Sequence, residues 1–283
     1  MNHFFLFIIK ITSYFPLGFL KVIAFCFYIM NFIFRYRYRI VYNNLKIAFP
    51  DKSNYDIRKI QKLFYKYFFN LMFEIIKFTN VKHTFINNHV NITNPELLEE
   101  LLKNNNVILL SGHYNNWEWM GAKISIYYKE PFIAIYKRLN SSVFNNFLLE
   151  SRKRFGSLVL DMDDSIRYLL QNNDQFRIIG IIPDQNPVVN STTKWSNFFD
   201  KDIPVFLGPE KIARRINSPV VFCNMKKIDN KNYSITFELI TKEPRTLAEN
   251  RITKYYFNLL EKQIKEEPSK WLWTHKRWRH QKK

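Results

Sequence analysis

From residue 107 onward, short apolar runs alternate with longer segments whose apolar residues recur at helical spacing. The predicted strands are 107–110, 131–136, 157–160, 176–183, 219–227 and 233–239. The predicted helices are 117–128, 142–155, 165–170, 208–216 and 247–265. Apolar strands separated by helices are typical of parallel sheets covered on both faces. The sequence therefore predicts an α/β layered domain with a largely parallel central sheet flanked by helices.

The remaining predicted elements lie before residue 107, and a long loop is predicted later in the chain. Residues 55–80 have apolar side chains at helical spacing and predict a long helix, while residues 83–92 alternate loosely and predict a strand. The candidate N-cap residues of the long helix are Asp51, Ser53 and Asn54. Residues 94–104 predict a short helix with Pro95 in its first turn. The polar segment 184–202 predicts a long loop, and loops of that length are usually functional or disordered.

The N-terminal segment 4–34 is almost entirely apolar, and about 20 such residues suffice to cross a bilayer. Lys10, Lys21 and residues 16–18 interrupt it. Two arrangements remain open: one transmembrane helix over 17–34 with Lys21 extended toward the headgroups, or a kinked or re-entrant anchor. A cleaved signal peptide fits less well, because the apolar stretch is too long and no cleavage site follows it. A buried helix pair of a soluble protein is a weaker alternative.

Three arginines in the run RYRYR, residues 35–39, directly follow this apolar segment. An excess of positive charge beside a membrane segment is typical of its cytoplasmic side. We therefore expect residues 1–34 to form a membrane anchor and residues 35–283 to form a cytoplasmic domain.

The overall charge indicates a polyanionic partner, since 43 Lys and Arg against 24 Asp and Glu give a net charge of +19. Residues 270–283 interleave tryptophan with basic residues, a pattern that suits single-stranded nucleic acid, an anionic bilayer or a cap over the core. Because the chain also has an apolar N-terminus, we favour the bilayer and expect no nucleic-acid partner. Cys26 and Cys223 form no CxxC motif, so we expect neither a disulfide framework nor a metal site.

The sequence SGHYNNWEW places a base and a carboxylate directly after the strand 107–110. His113 and Glu118 are five residues apart, and such residues do not face each other on one helix. We therefore expect His113 on a loop and Glu118 in the first turn of the next helix, with the loop folding back to join them. Glu118 would then fix the imidazole tautomer, and His113 would accept a proton from a substrate hydroxyl. Taken alone, the pair is more typical of a histidine that caps a strand end and a glutamate at a helix N-terminus.

Several motifs occur in a consistent order along the chain: RYRIVYNNLKIAFP, GHYNNWEW, AIYKRLN, SRKRFGS, IIPDQNP, FFDKDIPVFLGPEKIARRINSPVV and WLWTHKRW. Together they resemble the lipid A late acyltransferases, the lauroyl and myristoyl transferases of the lysophospholipid acyltransferase superfamily. The resemblance extends over nearly the whole chain.

This resemblance implies transfer of an acyl chain from a thioester of acyl carrier protein or coenzyme A to a hydroxyl of a membrane glycolipid. It places the enzyme on the cytoplasmic face of the bacterial inner membrane. His113 would be the general base and Glu118 its partner. The further substrate-binding candidates are Arg138, Arg152, Arg154, Asp184 and Gln185. Either Arg152 or Arg154 would be the functional arginine of its motif. No cofactor is implied, because the thioester is a co-substrate.

Two departures from the family pattern bear on the acceptor. Lys137 separates Tyr136 from Arg138, and the segment after Asp184 is more polar than is usual. A different lipid acceptor, such as a lysophospholipid or an aminolipid, is therefore the first alternative. A basic protein without enzymatic activity that binds membranes or nucleic acid is the second.

Overall fold

A computed structural model of the chain describes residues 2–138, 141–172, 176–191, 193–280 and 282. The helices are α1 (Asn2–Tyr14), α2 (Leu17–Phe34), α3 (Tyr38–Ala48), α4 (Asn54–Phe78), α5 (His83–His89), α6 (Glu96–Leu102), α7 (Trp117–Tyr127), α8 (Ser142–Lys153), α9 (Met162–Gln171), α10 (Gly208–Ile216) and α11 (Arg251–Glu266). The strands are β1 (Val90–Ile92), β2 (Val107–Leu110), β3 (Phe132–Tyr136), β4 (Leu158–Asp161), β5 (Ile178–Ile181), β6 (Lys194–Phe198), β7 (Lys201–Val205), β8 (Val220–Lys227) and β9 (Tyr233–Thr241).

Within the described residues, seven strands form one sheet in the order β1-β9-β8-β2-β5-β3-β4. Its neighbours run parallel except for β8 and β9, which are antiparallel. Strands β6 and β7 form a separate antiparallel hairpin. The predicted α/β fold with a largely parallel central sheet is confirmed.

Both faces of the sheet are buried, as the unbroken apolar strands predict. On one face, Ile108 and Leu110 of β2 join a core that includes residues of α4 and α11. On the other face, Val107 and Leu109 join a second core that includes residues of α5, α6 and α7. Since successive side chains of a strand point to opposite faces, four residues of β2 serve both cores.

The long helix predicted over 55–80 is α4, and the oxygen of Ser53 caps it by accepting from the backbone N–H of Asp56 at 3.1 Å. The strand predicted over 83–92 is wrong for its first seven residues, which form α5. The rings of Phe85 and His89 stack there with centroids 4.0 Å apart. Residues i and i+4 are neighbours on a helix, and this contact favours a helix over the strand that the loose alternation of apolar and polar residues predicts.

The long loop predicted over 184–202 is shorter than expected, because the hairpin of β6 and β7 begins at Lys194. Phe198 at the end of β6 and Ile203 in β7 are fully buried, which fixes the hairpin on the core. Phe199 and Asp200 form the turn with φ of 52° and 55°. A turn built from such residues lacks the usual glycine signal, so the sequence did not indicate a hairpin.

The helices α1 and α2 both pack against α4, with Leu20 and Ala24 of α2 buried against Phe73 of α4. The rest of α2 is largely exposed: it is long and apolar enough to cross a membrane, and only 17% of it is buried within the protein. Such exposure does not fit the alternative of a core helix pair. The anchor proposed for residues 1–34 therefore has an apolar surface that the described part of the chain leaves uncovered.

The expectation that the C-terminal tryptophans lie on a bilayer is wrong for two of them. Trp271 is 2% exposed and Trp273 is fully buried. Their rings meet edge to face at 4.8 Å, and Trp271 also meets Phe198 of β6 at 5.8 Å. Large aromatic rings bury extensive apolar area, which here closes the core beside β6.

Candidate active site

His113 lies at the carboxyl end of the central parallel strands, where ligands of open α/β sheets gather. β2 ends at Leu110, and α7 begins at Trp117 after a short loop that carries His113. The side-chain oxygen of Asn116 accepts from the backbone N–H of Trp119 at 3.1 Å and so fixes the start of α7. The predicted placement of His113 on a loop and Glu118 in the first helical turn is confirmed.

The carboxylate that holds the imidazole of His113 is Asp184, which follows β5. Nδ1 of His113 lies 2.5 Å from Oδ1 of Asp184, and the backbone N–H of His113 donates to Oδ2 at 2.8 Å. The indole N–H of Trp271 also donates to Oδ2 at 2.8 Å. Nδ1 therefore serves as the donor to a carboxylate, and Nε2 is left as the proton acceptor.

Asp184 is 2% exposed, and burial alone would raise its pKa. The attraction to His113 and the hydrogen bonds from His113 and Trp271 outweigh burial and lower the pKa to about 2. Asp184 is thus ionised at neutral pH and can stabilise a protonated imidazole.

The expectation that Glu118 fixes the imidazole tautomer is wrong. Glu118 instead forms a two-point ion pair with Arg152 of α8, with Nε to Oε2 at 2.9 Å and Nη2 to Oε1 at 2.7 Å. The indole N–H of Trp117 donates to the same carboxylate at 3.1 Å. The reason is strand order: β5 lies next to β2 in the sheet, so Asp184, on the loop that follows β5, lies beside the imidazole. Glu118 still lines the same cavity as His113, and its catalytic role stays a prediction.

Glu118 is 5% exposed, and burial alone would raise its pKa. The charge and hydrogen bonds of Arg152 outweigh burial and lower the pKa of Glu118. The pair therefore places an ionised carboxylate and a guanidinium, held in a bidentate geometry, on the wall of the cavity.

The structure separates the two arginines between which the sequence could not choose. Arg152 lines the cavity beside Glu118. Arg154 points away from the cavity and donates to the backbone carbonyls of Thr79, at the end of α4, and of Val81 at 2.9 Å. Arg154 therefore ties the end of α8 to the segment after α4.

Two other predicted binding residues line the same cavity. Arg138 lies at its exposed rim, where Nε donates to Asp161 Oδ2 at 2.9 Å, and Gln185 follows Asp184 on the loop after β5. Both positions are open to a bound molecule.

The cavity has a volume of about 950 Å³ and lies between the sheet, α7 and α8. Polar groups gather at the strand ends, among them His113, Glu118 and Arg152. Deeper in, the lining is apolar and includes Leu109, Met120, Ile124, Phe132 and Leu148. An elongated apolar group can be buried there with its reactive end beside His113.

Sequence reasoning missed the part played by the C-terminal segment, residues 270–278. Its backbone pairs with the His113 loop: Asn115 N–H donates to Lys270 O at 3.1 Å, and Leu272 N–H donates to His113 O at 3.0 Å. The motif WLWTHKRW can be recognised in the sequence, but its role could not be predicted, because its contacts join residues far apart in the chain.

The same segment also holds the loop that follows Asp184. Nε2 of His275 accepts from the backbone N–H of Asn186 at 3.1 Å, and the Asn186 amide donates to Lys276 O at 2.9 Å. The buried guanidinium of Arg277 donates to the Asn186 side chain. Burial and the nearby Arg277 charge lower the pKa of His275 to about 4, which keeps Nε2 an acceptor at neutral pH. The C-terminal segment thus joins the two loops that carry His113 and Asp184.

We predict that Trp271→Phe lowers kcat about tenfold and leaves KM unchanged. The change removes a hydrogen bond to an ionised carboxylate, worth about 1.5–3 kcal/mol, but no contact with substrate. Trp273→Phe is the matched control, because that buried indole donates to the backbone oxygen of Pro268 instead. Steady-state kinetics of both variants decide the matter: equal losses in kcat would mean that Trp271 only supports packing.

The fold and the site together define a class of protein. A histidine held by a buried acid at the mouth of an apolar cavity suits an enzyme that transfers a group from an apolar donor to a hydroxyl.

Comparison with known families identifies the chain more closely. A family model described as bacterial lipid A biosynthesis acyltransferase matches residues 2–280. The chain therefore belongs to this family and is an acyltransferase, an enzyme with an acyl donor and a lipid acceptor. No curated protein sequence matches the chain closely enough to count as a relative.

Proposed function

We propose that the protein transfers a fatty acyl chain from a thioester of acyl carrier protein or coenzyme A to a hydroxyl of a lipid A precursor or related glycolipid. One observation carries the proposal: the 2.5 Å contact of His113 with the buried Asp184, at the polar end of an apolar cavity. The acyl chain would lie in the apolar part, where each buried CH₂ contributes about 0.8 kcal/mol.

In the proposed reaction the acceptor oxygen attacks the thioester carbonyl carbon. As the new C–O bond forms, the hydroxyl proton passes to Nε2 of His113, and the ionised Asp184 stabilises the resulting imidazolium. The C–S bond of the tetrahedral intermediate then breaks, and the departing thiolate takes the proton from Nε2. No protein nucleophile and no cofactor take part, because the thioester already carries an activated acyl group.

Arg152 supplies positive charge to this reaction. Glu118 holds its guanidinium in a fixed orientation at 2.7 Å and 2.9 Å, on the cavity wall. A guanidinium there can bind a phosphate of the acceptor or the oxyanion of the intermediate. Arg138 and Gln185, which line the same cavity, are proposed as further contacts to the acceptor headgroup.

We further propose that residues 1–34 hold residues 35–283 on the cytoplasmic face of the bacterial inner membrane. Supporting this, α2 has the length and composition of a membrane-crossing helix, and Arg35, Arg37 and Arg39 follow it directly. The net charge of +19 favours an anionic leaflet, a phosphorylated acceptor and an acidic carrier protein.

Lipid mass spectrometry of cells with and without the gene tests this function. We expect cells that lack the gene to accumulate a glycolipid short of one acyl chain, and the wild-type gene to restore that chain. The His113→Ala gene should not restore it. A missing acyl chain on a phospholipid or an aminolipid would instead assign a different acceptor, and unchanged lipids in the deletion strain would refute the proposal.

A further inference from the structure

A level of the sheet is here one row of paired residues across neighbouring strands. At one such level, small residues lie on the face toward α7. Gly180 of β5 pairs with Leu109 of β2 on one side and with Ala134 of β3 on the other. All three residues line the cavity. Because glycine and alanine project little from a strand, they leave space at this level between the sheet and α7.

The next level down on the same face has larger residues. There Phe132 of β3 pairs with Ile178 of β5, which in turn pairs with Val107 of β2. Ser111, near the mouth of the cavity, lies four residues further along the chain than Val107. At ~3.3 Å per residue the Phe132 level is therefore about 13 Å below Ser111.

From this level the ring of Phe132 reaches back to the level of Gly180 and Leu109. That level is two residues before Ser111, about 7 Å below it at ~3.3 Å per residue, and there the ring fills the gap between sheet and helix. It is 6% exposed and lines the cavity. A Cβ atom added at Gly180 would lie only 2.6 Å from Cζ and 2.7 Å from Cε2 of this ring, and one added at Gly121 of α7 would lie 3.4 Å from Cε1. The ring thus lies directly on Gly180 and faces Gly121, and it can occupy this position only because residue 180 lacks a side chain.

We propose that Phe132 closes the inner end of the cavity, and that its position on Gly180 sets the length of the acyl chain that the enzyme transfers. This assignment rests on the proposed function, in which the chain lies in the cavity with its thioester carbon beside His113. Chain carbons that fit above the ring gain burial, whereas additional carbons must displace a packed aromatic ring. One methylene in an apolar pocket discriminates about tenfold or more.

Two substitutions move this inner end in opposite directions. Phe132→Leu shortens the side chain at the closed end, so we expect the preferred acyl chain to become longer. Gly180→Ala adds a methyl where the ring now lies, one level nearer the mouth than the backbone of Phe132. The methyl and the displaced ring together take up more of the cavity, so we expect the preferred chain to become shorter. The ratio of long-chain to short-chain product should rise about tenfold in the first variant and fall about tenfold in the second.

The experiment supplies the purified full-length protein with an equal mixture of acyl thioesters of medium and long chains, and mass spectrometry measures the products. Phe237→Leu is the matched control: Phe237 is a buried phenylalanine of the same core and is not among the cavity-lining residues. Its product ratio should equal that of the wild type. Product ratios that stay unchanged in both test variants, or move in the same direction, would overturn the length assignment while acyl transfer itself stands.

Gly180→Ala alone decides the matter if Phe132→Leu does not fold, because an active Gly180→Ala protein with the wild-type ratio contradicts the proposal. A wild-type protein that transfers no acyl chain from any donor would overturn the proposed function and the length assignment together.

Discussion

Asp184→Asn is expected to lower kcat about 10⁴-fold while the protein remains folded. The carboxylate now accepts from Nδ1 of His113 at 2.5 Å, from its backbone N–H and from Trp271. An asparagine amide has the same shape but no charge to stabilise the imidazolium, and its NH₂ group favours the tautomer with the proton on Nε2. A base that already carries a proton on Nε2 cannot accept one, and a loss of about this size is typical of such a change.

Glu210→Gln is the matched control for Asp184→Asn. Glu210 is also a buried carboxylate, 4% exposed, and it accepts from the backbone N–H of Thr253 at 3.0 Å, but it does not line the cavity. Glu210→Gln should lower the melting temperature and leave kcat nearly unchanged. If Asp184→Asn retains kcat within a few-fold of the wild type, Asp184 does not orient the base.

Arg152→Ala is expected to destabilise the protein by about 3 kcal/mol and to lower acyl transfer about 100-fold. The substitution leaves the carboxylate of Glu118, 5% exposed, buried without its bidentate partner, and removal of one member of a buried ion pair costs about 3–5 kcal/mol. The activity falls because the guanidinium beside Glu118 on the cavity wall is lost. Denaturant unfolding and steady-state kinetics measure the two effects.

Two further variants separate these effects of Arg152. The double variant Glu118→Gln with Arg152→Met removes both charges, so it should regain most of the lost stability but not the activity. Arg154→Ala, two residues away, removes hydrogen bonds to two backbone carbonyls and should cost only about 1 kcal/mol. If Arg152→Ala is no less stable than Arg154→Ala, the ion pair with Glu118 does not support the fold as described.

The sheet could be predicted because its strands carry their own signal. The four residues of β2 are all apolar, and all four are buried. The loop position of His113 followed equally from local spacing, since Asn116 caps the helix that starts one residue later. Such features depend on neighbours within one turn or one strand, which the sequence displays directly.

The partner of His113 could not be predicted in this way. Asp184 lies 71 residues further along the chain, and the two meet because β5 lies next to β2 in the sheet. Strand order is a property of the whole fold and is not displayed by any short segment. Local spacing therefore predicts Glu118, the nearest carboxylate in the sequence, for a contact that Asp184 makes.

The same limit applied to the C-terminal segment. Its mixture of tryptophan and basic residues fits a bilayer surface as well as a core. Burial of Trp271 and Arg277 depends on Phe198 of the hairpin and Phe257 of α11, with which they pack. Composition alone does not indicate which surface such a segment meets.

The most direct measurement is the rate at which purified protein transfers an acyl chain from a thioester to a lipid A precursor, compared between wild type and His113→Ala. The account predicts that the wild type forms the acylated lipid and that His113→Ala, still folded, forms it at least about 10³-fold more slowly. Transfer by folded His113→Ala at the wild-type rate would contradict the claim that this imidazole, held by Asp184, removes the proton from the acceptor hydroxyl.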